Sequence, residues 1–295
     1  MSDDSSPPAD GPPAAVPLTA VPPAAVPLTA VPLTAAPLSG PSRAPVLVLG
    51  NSLGTNAAVW DQQVPQLRQG FRLVRFELPG HGGSAAPPGE YTIAGLGAGV
   101  VTLLDSLGVD RVGYCGISLG GMIGMWLAAH APDRIAALGL VCTSAYLPPA
   151  AGWLTRADQV RAAGMASVCG PVISRWFTPE YAAAAPAVVD GFRAEFERTD
   201  PGGYVGCCAA IASMDQRPAL PAIAAPTLVL AGADDPATPP EHGEVIARAI
   251  PRAHLEVIPG AAHLAAVSAP AQVTSALESH LRAALVPSGD RYFWR

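Results

Sequence analysis

Residues 114–121 read Tyr114-Cys115-Gly116-Ile117-Ser118-Leu119-Gly120-Gly121 and contain the pattern Gly-x-Ser-x-Gly. A β-rich run precedes the pattern at 111–115, and a helical run follows it at 122–131. This strand–turn–helix setting is that of a nucleophile elbow, in which a sharp turn presents the serine hydroxyl to a substrate. A Cβ at Gly116 or Gly120 would clash where the strand and the helix approach each other. The pattern predicts Ser118 as a catalytic nucleophile; the alternative is an ordinary glycine-rich turn.

Strand-like and helical runs alternate on both sides of this turn. The strand-like runs lie at 45–49, 71–76, 136–143, 226–231 and 254–258, and further helical runs lie at 93–108 and 273–285. Alternation of this kind predicts an α/β protein with a mostly parallel central sheet flanked by helices. Residues 148–215 break the alternation, because they contain helical patches and two tryptophans but no convincing core strand. We therefore expect a core at 45–147 and 216–285, with an inserted helical lid at 148–215.

The first 44 residues differ from the rest in composition. They are rich in proline, alanine, valine, leucine and threonine, and the ten-residue unit at 12–21 recurs at 22–31. Frequent proline removes backbone donors and blocks both helix and strand ladder. We expect a disordered or polyproline-like leader at 1–44, and a short C-terminal tail at 286–295. The acidic start and the absence of a proline-free apolar segment argue against a signal peptide.

Charge and cysteine content restrict the partners. The formal net charge is −6, which argues against nucleic acid and against an anionic membrane surface as partners. No window offers about twenty uninterrupted apolar residues, so we expect no membrane span. The five cysteines lack the spacing of a metal site and are typical of a reduced, cytoplasmic protein. We expect neither a metal ion nor an organic cofactor.

A serine nucleophile needs a base within hydrogen-bond reach and a carboxylate that orients the base. In proteins with this elbow the partners follow in the order serine, acid, histidine. His263 follows the last strand-like run in a loop rich in glycine and alanine, and is the candidate base. The candidate acid is Asp234 or Asp235, directly after the run at 226–231.

The tetrahedral intermediate of acyl transfer carries an oxyanion that requires preorganised donors. The backbone N–H of Leu119, just after the nucleophile, is the expected first donor. The second should come from the loop after the first core strand, where Ser52 and Leu53 are the candidates.

Several further motifs are shared with one known family. They include Gly50-Asn51-Ser52-Leu53-Gly54-Thr55, Gly120-Gly121-Met122-Ile123-Gly124-Met125-Trp126, Arg175-Trp176-Phe177-Thr178 and Asp235-Pro236-Ala237-Thr238-Pro239-Pro240. On these motifs, residues 45–285 resemble the α/β-hydrolase superfamily, and within it the 3-oxoadipate enol-lactonases. The spacing of Asp235 from Gly232 and Pro239 matches a Gly-x-x-Asp-x-x-x-Pro pattern of related hydrolases, which favours Asp235 over Asp234.

The resemblance implies hydrolysis of a small anionic enol-lactone to 3-oxoadipate in the β-ketoadipate pathway of aromatic degradation. The substrate would carry a free carboxylate, for which an arginine fork is the natural partner. Our hypothesis is that Arg156 binds this carboxylate and that Trp153 forms a wall of the pocket, although Arg161 and Arg175 compete with Arg156. The rival functions are those of a carboxylesterase, a C–C bond hydrolase, a cofactor-free perhydrolase and a non-enzymatic receptor.

Overall fold

The computed structural model describes residues 30–285 of the chain. Its strands are β1 (Thr34–Ala35), β2 (Val46–Gly50), β3 (Arg72–Glu77), β4 (Val112–Ile117), β5 (Ile135–Val141), β6 (Thr227–Gly232) and β7 (Ala253–Ile258). They form one sheet in the order β1-β3-β2-β4-β5-β6-β7. β2 to β7 are parallel to their neighbours, and β1 pairs antiparallel with β3. The predicted mostly parallel sheet is confirmed.

Helices occupy most of the chain between the strands. They are α1 (Val64–Leu67), α2 (Ile93–Ser106), α3 (Leu119–His130), α4 (Ala150–Ala163), α5 (Ala166–Trp176), α6 (Pro179–Ala184), α7 (Pro186–Arg198), α8 (Pro201–Ala212), α9 (Pro240–Ala249), α10 (Ala265–Ser268) and α11 (Pro270–Leu285). Short 3-10 helices lie at Ala57–Trp60, Pro132–Arg134 and Arg217–Ala222.

Helices cover both faces of the sheet, as one glycine of β4 and one glycine of α3 show. A Cβ on Gly113 of β4 would lie 2.7 Å from Leu285 of α11. The next residue of β4, Tyr114, points to the opposite face because side chains alternate along a strand. There it packs against α3, where a Cβ on Gly124 would come within 2.7 Å of the Tyr114 ring. β4 is therefore buried on both faces, which explains its near-continuous apolar sequence.

The described part of the leader contacts the core. Thr34 and Ala35 form β1 and pair with Glu77 and Phe76 at the β3 edge of the sheet. The Val31 N–H donates to the carbonyl of Gly95 in α2 at 3.0 Å. Thr34 and Ala35 are therefore ordered at the edge of the sheet, while the disordered or polyproline-like leader at 1–44 remains a prediction. Residues 1–29 and the tail at 286–295 lie outside the described residues.

Helices α4 to α8 fall within the segment for which we predict an inserted lid. The two ends of this segment meet, because Tyr146 and Asp215 form an isolated antiparallel bridge. The Gln216 N–H also donates to the Ala145 carbonyl at 2.8 Å. Adjacent ends are what an insertion into a continuous core requires. The division into a core at 45–147 and 216–285 and a lid at 148–215 remains our interpretation.

The five cysteines are free thiols, and all are buried. Burial raises the pKa of Cys115 and of Cys208 to about 12, so that these thiols stay protonated and unreactive. Within residues 30–285, no helix is both long enough and apolar enough to cross a membrane.

Candidate active site

Ser118 occupies the turn between β4 and α3. Its φ of 52° and ψ of −114° place a non-glycine residue in a backbone region that L-residues rarely adopt. The turn is tight, since a Cβ on Gly116 would lie 2.2 Å from the backbone of Gly120. A Cβ on Gly120 would lie 2.5 Å from the carbonyl oxygen of Gly50. The two glycines thus allow the chain to turn sharply enough to present Ser118 at a cavity.

His263 lies in the loop after β7, and its ring is held by Asp235 from the loop after β6. Nδ1 of His263 lies 2.8 Å from Oδ2 of Asp235, and the two side chains are 6% and 0% exposed. When Nδ1–H donates to the carboxylate, Nε2 keeps its lone pair. His263 lines the same cavity as Ser118. Asp235 thus orients His263 as the carboxylate of a serine–histidine–aspartate triad orients its base.

The Asp235 carboxylate is held in its ionised form. Oδ1 accepts hydrogen bonds from the N–H groups of Ala237 and Thr238, and Oδ2 accepts one from the Thr238 hydroxyl at 2.7 Å. Burial raises the pKa of Asp235, but the charge of His263 and the hydrogen bonds from His263 and Thr238 outweigh it and lower the pKa to about 2. Asp234 is exposed, so the carboxylate that contacts the histidine belongs to Asp235.

Leu119 and the loop after β2 supply the candidate oxyanion donors. Leu119 is the first residue of α3, so its N–H lies outside the hydrogen-bond ladder of the helix. Ser52 and Leu53 both line the cavity beside Ser118. The next two amides of this loop are already used, because Gly54 donates to His81 and Thr55 donates to the Ser52 carbonyl. Ser52 and Leu53 therefore remain the candidates for the second donor.

His81 holds this loop from the turn after β3. Its Nε2 accepts the Gly54 N–H at 2.9 Å, and its Nδ1 lies 2.8 Å from the Pro79 carbonyl oxygen. These contacts require a neutral ring with the proton on Nδ1. Burial lowers the pKa of His81 to about 4, which keeps the ring neutral. Glu77 adds a second attachment, because its carboxylate accepts the Ala57 N–H.

The cavity has a volume of about 740 Å³ and is lined by residues from the core and from the lid segment. Trp153 and Arg156 of α4 both line it, and the Arg156 guanidinium lies 4.5 Å from the centre of the Trp153 ring. The Trp153 indole N–H donates to the Leu147 carbonyl at 3.2 Å, which fixes the ring under the arginine. One cavity thus holds Ser118 and a cationic side chain.

Arg175 and Arg161, the two alternatives to Arg156 as partner of a substrate carboxylate, differ in their position relative to the cavity. Arg175 of α5 lines the cavity together with Arg156. Arg161 pairs with Asp158 on the exposed surface of α4 at 2.8 Å, and its side chain does not line the cavity. Arg161 therefore no longer competes as a partner for a substrate carboxylate.

Sequence reasoning missed other residues at this cavity. Thr238 bridges Asp235 and His263, and Tyr204 of α8 and His242 of α9 line the cavity. Thr238 could have been found, since it lies within the quoted motif after Asp235, whereas Tyr204 and His242 reach the cavity only through tertiary packing. Among residues 30–285, no group of three or more His, Cys, Asp and Glu side chains is placed to hold a metal ion.

Behind the site, Cys142 follows β5 with a φ of 44°. Its thiol donates to the carbonyl oxygen of Ala262 at 3.7 Å, next to His263. Burial, reinforced by the negative charge of Asp235, raises the pKa of Cys142 well above its usual range.

Comparisons with known proteins agree with this geometry. The family model of the α/β-hydrolase fold matches residues 45–270. The 3-oxoadipate enol-lactonase 2 of Acinetobacter baylyi is 36% identical over 82% of this chain and 91% of its own. The enol-lactonase structure from Burkholderia xenovorans is 37% identical with a TM-score of 0.82, over 84% of this chain and 96% of its own. A malate-bound esterase from Thermogutta terrifontis is 29% identical with a TM-score of 0.81, over 86% of this chain and 94% of its own.

Proposed function

Because the chain belongs to the α/β-hydrolase family, we propose that it is a serine hydrolase that opens 3-oxoadipate enol-lactone to 3-oxoadipate. The observation that carries the proposal is the cavity that brings together Ser118, the His263–Asp235 pair and the Arg156 guanidinium. The first three residues provide acyl-transfer chemistry, and the cation provides a partner for the carboxylate of the lactone. The two enol-lactonases that the chain is similar to support the choice of substrate.

The reaction begins when Nε2 of His263 takes the proton of the Ser118 hydroxyl and Oγ attacks the lactone carbonyl carbon. The charge on the carbonyl oxygen is held by the N–H of Leu119 and by that of Ser52 or Leu53. Asp235 stays ionised and stabilises the imidazolium that forms.

Collapse of the intermediate breaks the ring C–O bond and expels an enolate oxygen, which His263 protonates. The enol then tautomerises to the ketone while the acyl group remains on Ser118. Water, deprotonated by His263, hydrolyses this ester and regenerates the free serine. An enolate is a good leaving group, so we expect the oxyanion donors and substrate positioning to supply most of the rate enhancement. Loss of one donor typically costs about 10²–10³ in turnover.

Arg156 is the proposed partner of the substrate carboxylate, with Trp153 as the wall that orients its guanidinium. A planar guanidinium can bind a carboxylate through two parallel hydrogen bonds. Arg175, which lines the same cavity, adds positive charge for an anionic substrate.

The test is direct. The enol-lactone is generated in situ from muconolactone or carboxymuconolactone, purified protein is added, and the loss of ultraviolet absorbance is followed. We expect rapid loss with the wild-type protein and none above background with Ser118→Ala, because the variant lacks the nucleophile. Circular dichroism confirms that the variant is folded. Equal rates for the two proteins would contradict the assignment of Ser118.

A carboxylesterase is the second candidate, favoured by the similarity to the Thermogutta esterase. The same experiment separates the two activities when p-nitrophenyl acetate is assayed in parallel. A protein that cleaves the neutral ester but leaves the enol-lactone intact is an esterase and not a lactonase. Failure on both substrates would refute the hydrolase proposal itself.

A further inference from the structure

Tyr204 of α8 carries a buried hydroxyl for whose proton the described residues provide no acceptor, although the Arg156 guanidinium lies close enough to interact with its oxygen. The whole side chain is 0% exposed. Other buried tyrosines are paired: the Tyr114 hydroxyl donates to the Gly120 carbonyl at 2.9 Å, and that of Tyr91 donates to the Pro87 carbonyl. A buried donor without an acceptor destabilises the folded protein, so the Tyr204 hydroxyl requires an explanation.

The location of Tyr204 in the fold supplies one. Tyr204 lines the cavity that also holds Ser118 and Arg156, and its ring packs edge-on against Phe196 at 5.4 Å between ring centres. Burial raises the pKa of Tyr204 strongly, while the nearby Arg156 guanidinium lowers it in part. The hydroxyl therefore stays protonated at neutral pH and lies close to the arginine. It is a donor beside a cation, and within residues 30–285 neither group has an anionic acceptor.

We propose that Tyr204 is a specificity-determining residue, whose hydroxyl donates a hydrogen bond to the substrate carboxylate bound by Arg156. The inference rests on the proposed function, in which the substrate carries that carboxylate. A carboxylate oxygen would satisfy the phenol through a charge-assisted bond, which is stronger than a neutral one. A neutral ester would leave the phenol unpaired. Sites that contain buried polar groups of this kind reject analogues that lack the matching group.

The variant that tests the inference is Tyr204→Phe, which removes one oxygen and keeps the ring against Phe196. We expect KM for the enol-lactone to rise about tenfold to a hundredfold, as hydrogen bonds to charged groups predict. Turnover of p-nitrophenyl acetate should stay within about twofold of wild type. The Tm of the unliganded variant should not fall, because the deleted hydroxyl donates to no group among the described residues.

Tyr91→Phe is the matched control. Tyr91 is buried against α8, where a Cβ on Gly206 would meet its ring at 2.5 Å, and its hydroxyl is paired with Pro87. This variant should lose stability and keep the wild-type KM for both substrates. A Tyr204→Phe variant that loses Tm like the control, with unchanged KM for the lactone, would show a merely structural role and overturn the inference.

A binding measurement separates this inference from the proposed function. Adipate, a six-carbon dicarboxylate, is titrated calorimetrically into wild type and Tyr204→Phe. If the wild type opens no enol-lactone but binds adipate, and the variant binds it at least tenfold more weakly, the proposed substrate is wrong and the carboxylate site stands. Equal adipate affinity in both proteins, or no binding to either, overturns the role of Tyr204 whatever the substrate.

Discussion

At the scale of single residues, two adjacent aspartates have opposite environments. Asp235 is buried, and its carboxylate oxygens accept hydrogen bonds from His263, Thr238 and the Ala237 N–H. Asp234 is exposed. Both follow the same strand, so position along the chain alone does not separate them. The shared motif favours Asp235. In the structure it is the Asp235 carboxylate that lies within hydrogen-bond distance of Nδ1 of His263.

Asp235→Asn should lower kcat by about 10³–10⁴, as substitution of the triad carboxylate does in serine hydrolases. An amide cannot stabilise the imidazolium, and its N–H group favours the wrong histidine tautomer. Steady-state kinetics on p-nitrophenyl acetate measure the effect, with Asp234→Asn as the control that keeps wild-type kcat. A comparable loss in both variants would refute the distinction between the two carboxylates.

The candidate site could be predicted in part, for a physical reason. Ser118, Asp235 and His263 each follow a strand of a parallel sheet, and the carboxyl ends of such strands share one edge. Tyr204 and His242 reach the cavity through helices whose packing is not encoded in a short motif. Arg161 and Arg156 lie on the same helix, and only the packing of α4 shows which of them enters the cavity.

At the scale of elements, the loop after β2 depends on a neutral histidine. His81 accepts the Gly54 N–H, and protonation of Nε2 would abolish that bond. Glu77, the last residue of β3, accepts the Ala57 N–H and provides a second attachment for the loop. The loop carries Ser52 and Leu53, so the geometry of the proposed oxyanion donors rests on side chains from the following strand and turn.

His81 should make stability pH-dependent below neutrality. Burial lowers its pKa from 6.5 to about 4, so between these values the unfolded chain binds a proton that the folded protein does not. The free energy of unfolding should therefore fall as pH drops from about 6.5 to about 4, by about 3 kcal/mol from this residue. Urea unfolding at several pH values measures the slope for wild type and for His81→Gln. A variant with the wild-type slope in this window would contradict the prediction.

The central strands β2, β4 and β6 could be located from sequence because they are buried along their whole length and end at glycine-containing turns. β1 could not, since proline-rich sequence favours no ladder and its pairing with β3 spans about forty residues. Its two residues lie between Pro32 and Pro37, and proline is tolerated at a sheet edge. The short strand covers the edge of β3 that would otherwise be open to pairing with another chain.

At the scale of the whole molecule, one aromatic side chain of the lid segment packs against the core. Phe196 of α7 is fully buried and packs edge-on against Trp176 of α5 and Tyr204 of α8. It also reaches the loop after β2, where a Cβ on Gly54 would lie 2.6 Å from its ring. One side chain thus connects three helices with the loop of the proposed oxyanion donors.

Phe196→Ala should lower the free energy of unfolding by about 3–5 kcal/mol, because it leaves a cavity between the lid segment and the core. We also expect a lower kcat, since the loop at Gly54 loses its packing partner. Denaturant unfolding and p-nitrophenyl acetate kinetics measure the two effects. Phe192→Ala, at a half-buried position on the same helix, is the control and should lose less stability. Equal losses in the two variants would contradict the role of Phe196 in connecting the lid segment with the loop after β2.

Cys142 adds an intrinsic chemical reporter to this architecture. Its thiol lies behind the site against the carbonyl before His263, and in the closed protein it is protonated and shielded from solvent. An alkylating reagent can modify it only during transient openings of that region, whose free energies can range up to that of global unfolding. The rate of alkylation in the native state therefore measures how often the histidine loop leaves its place. A ligand that holds the loop closed would slow the same modification.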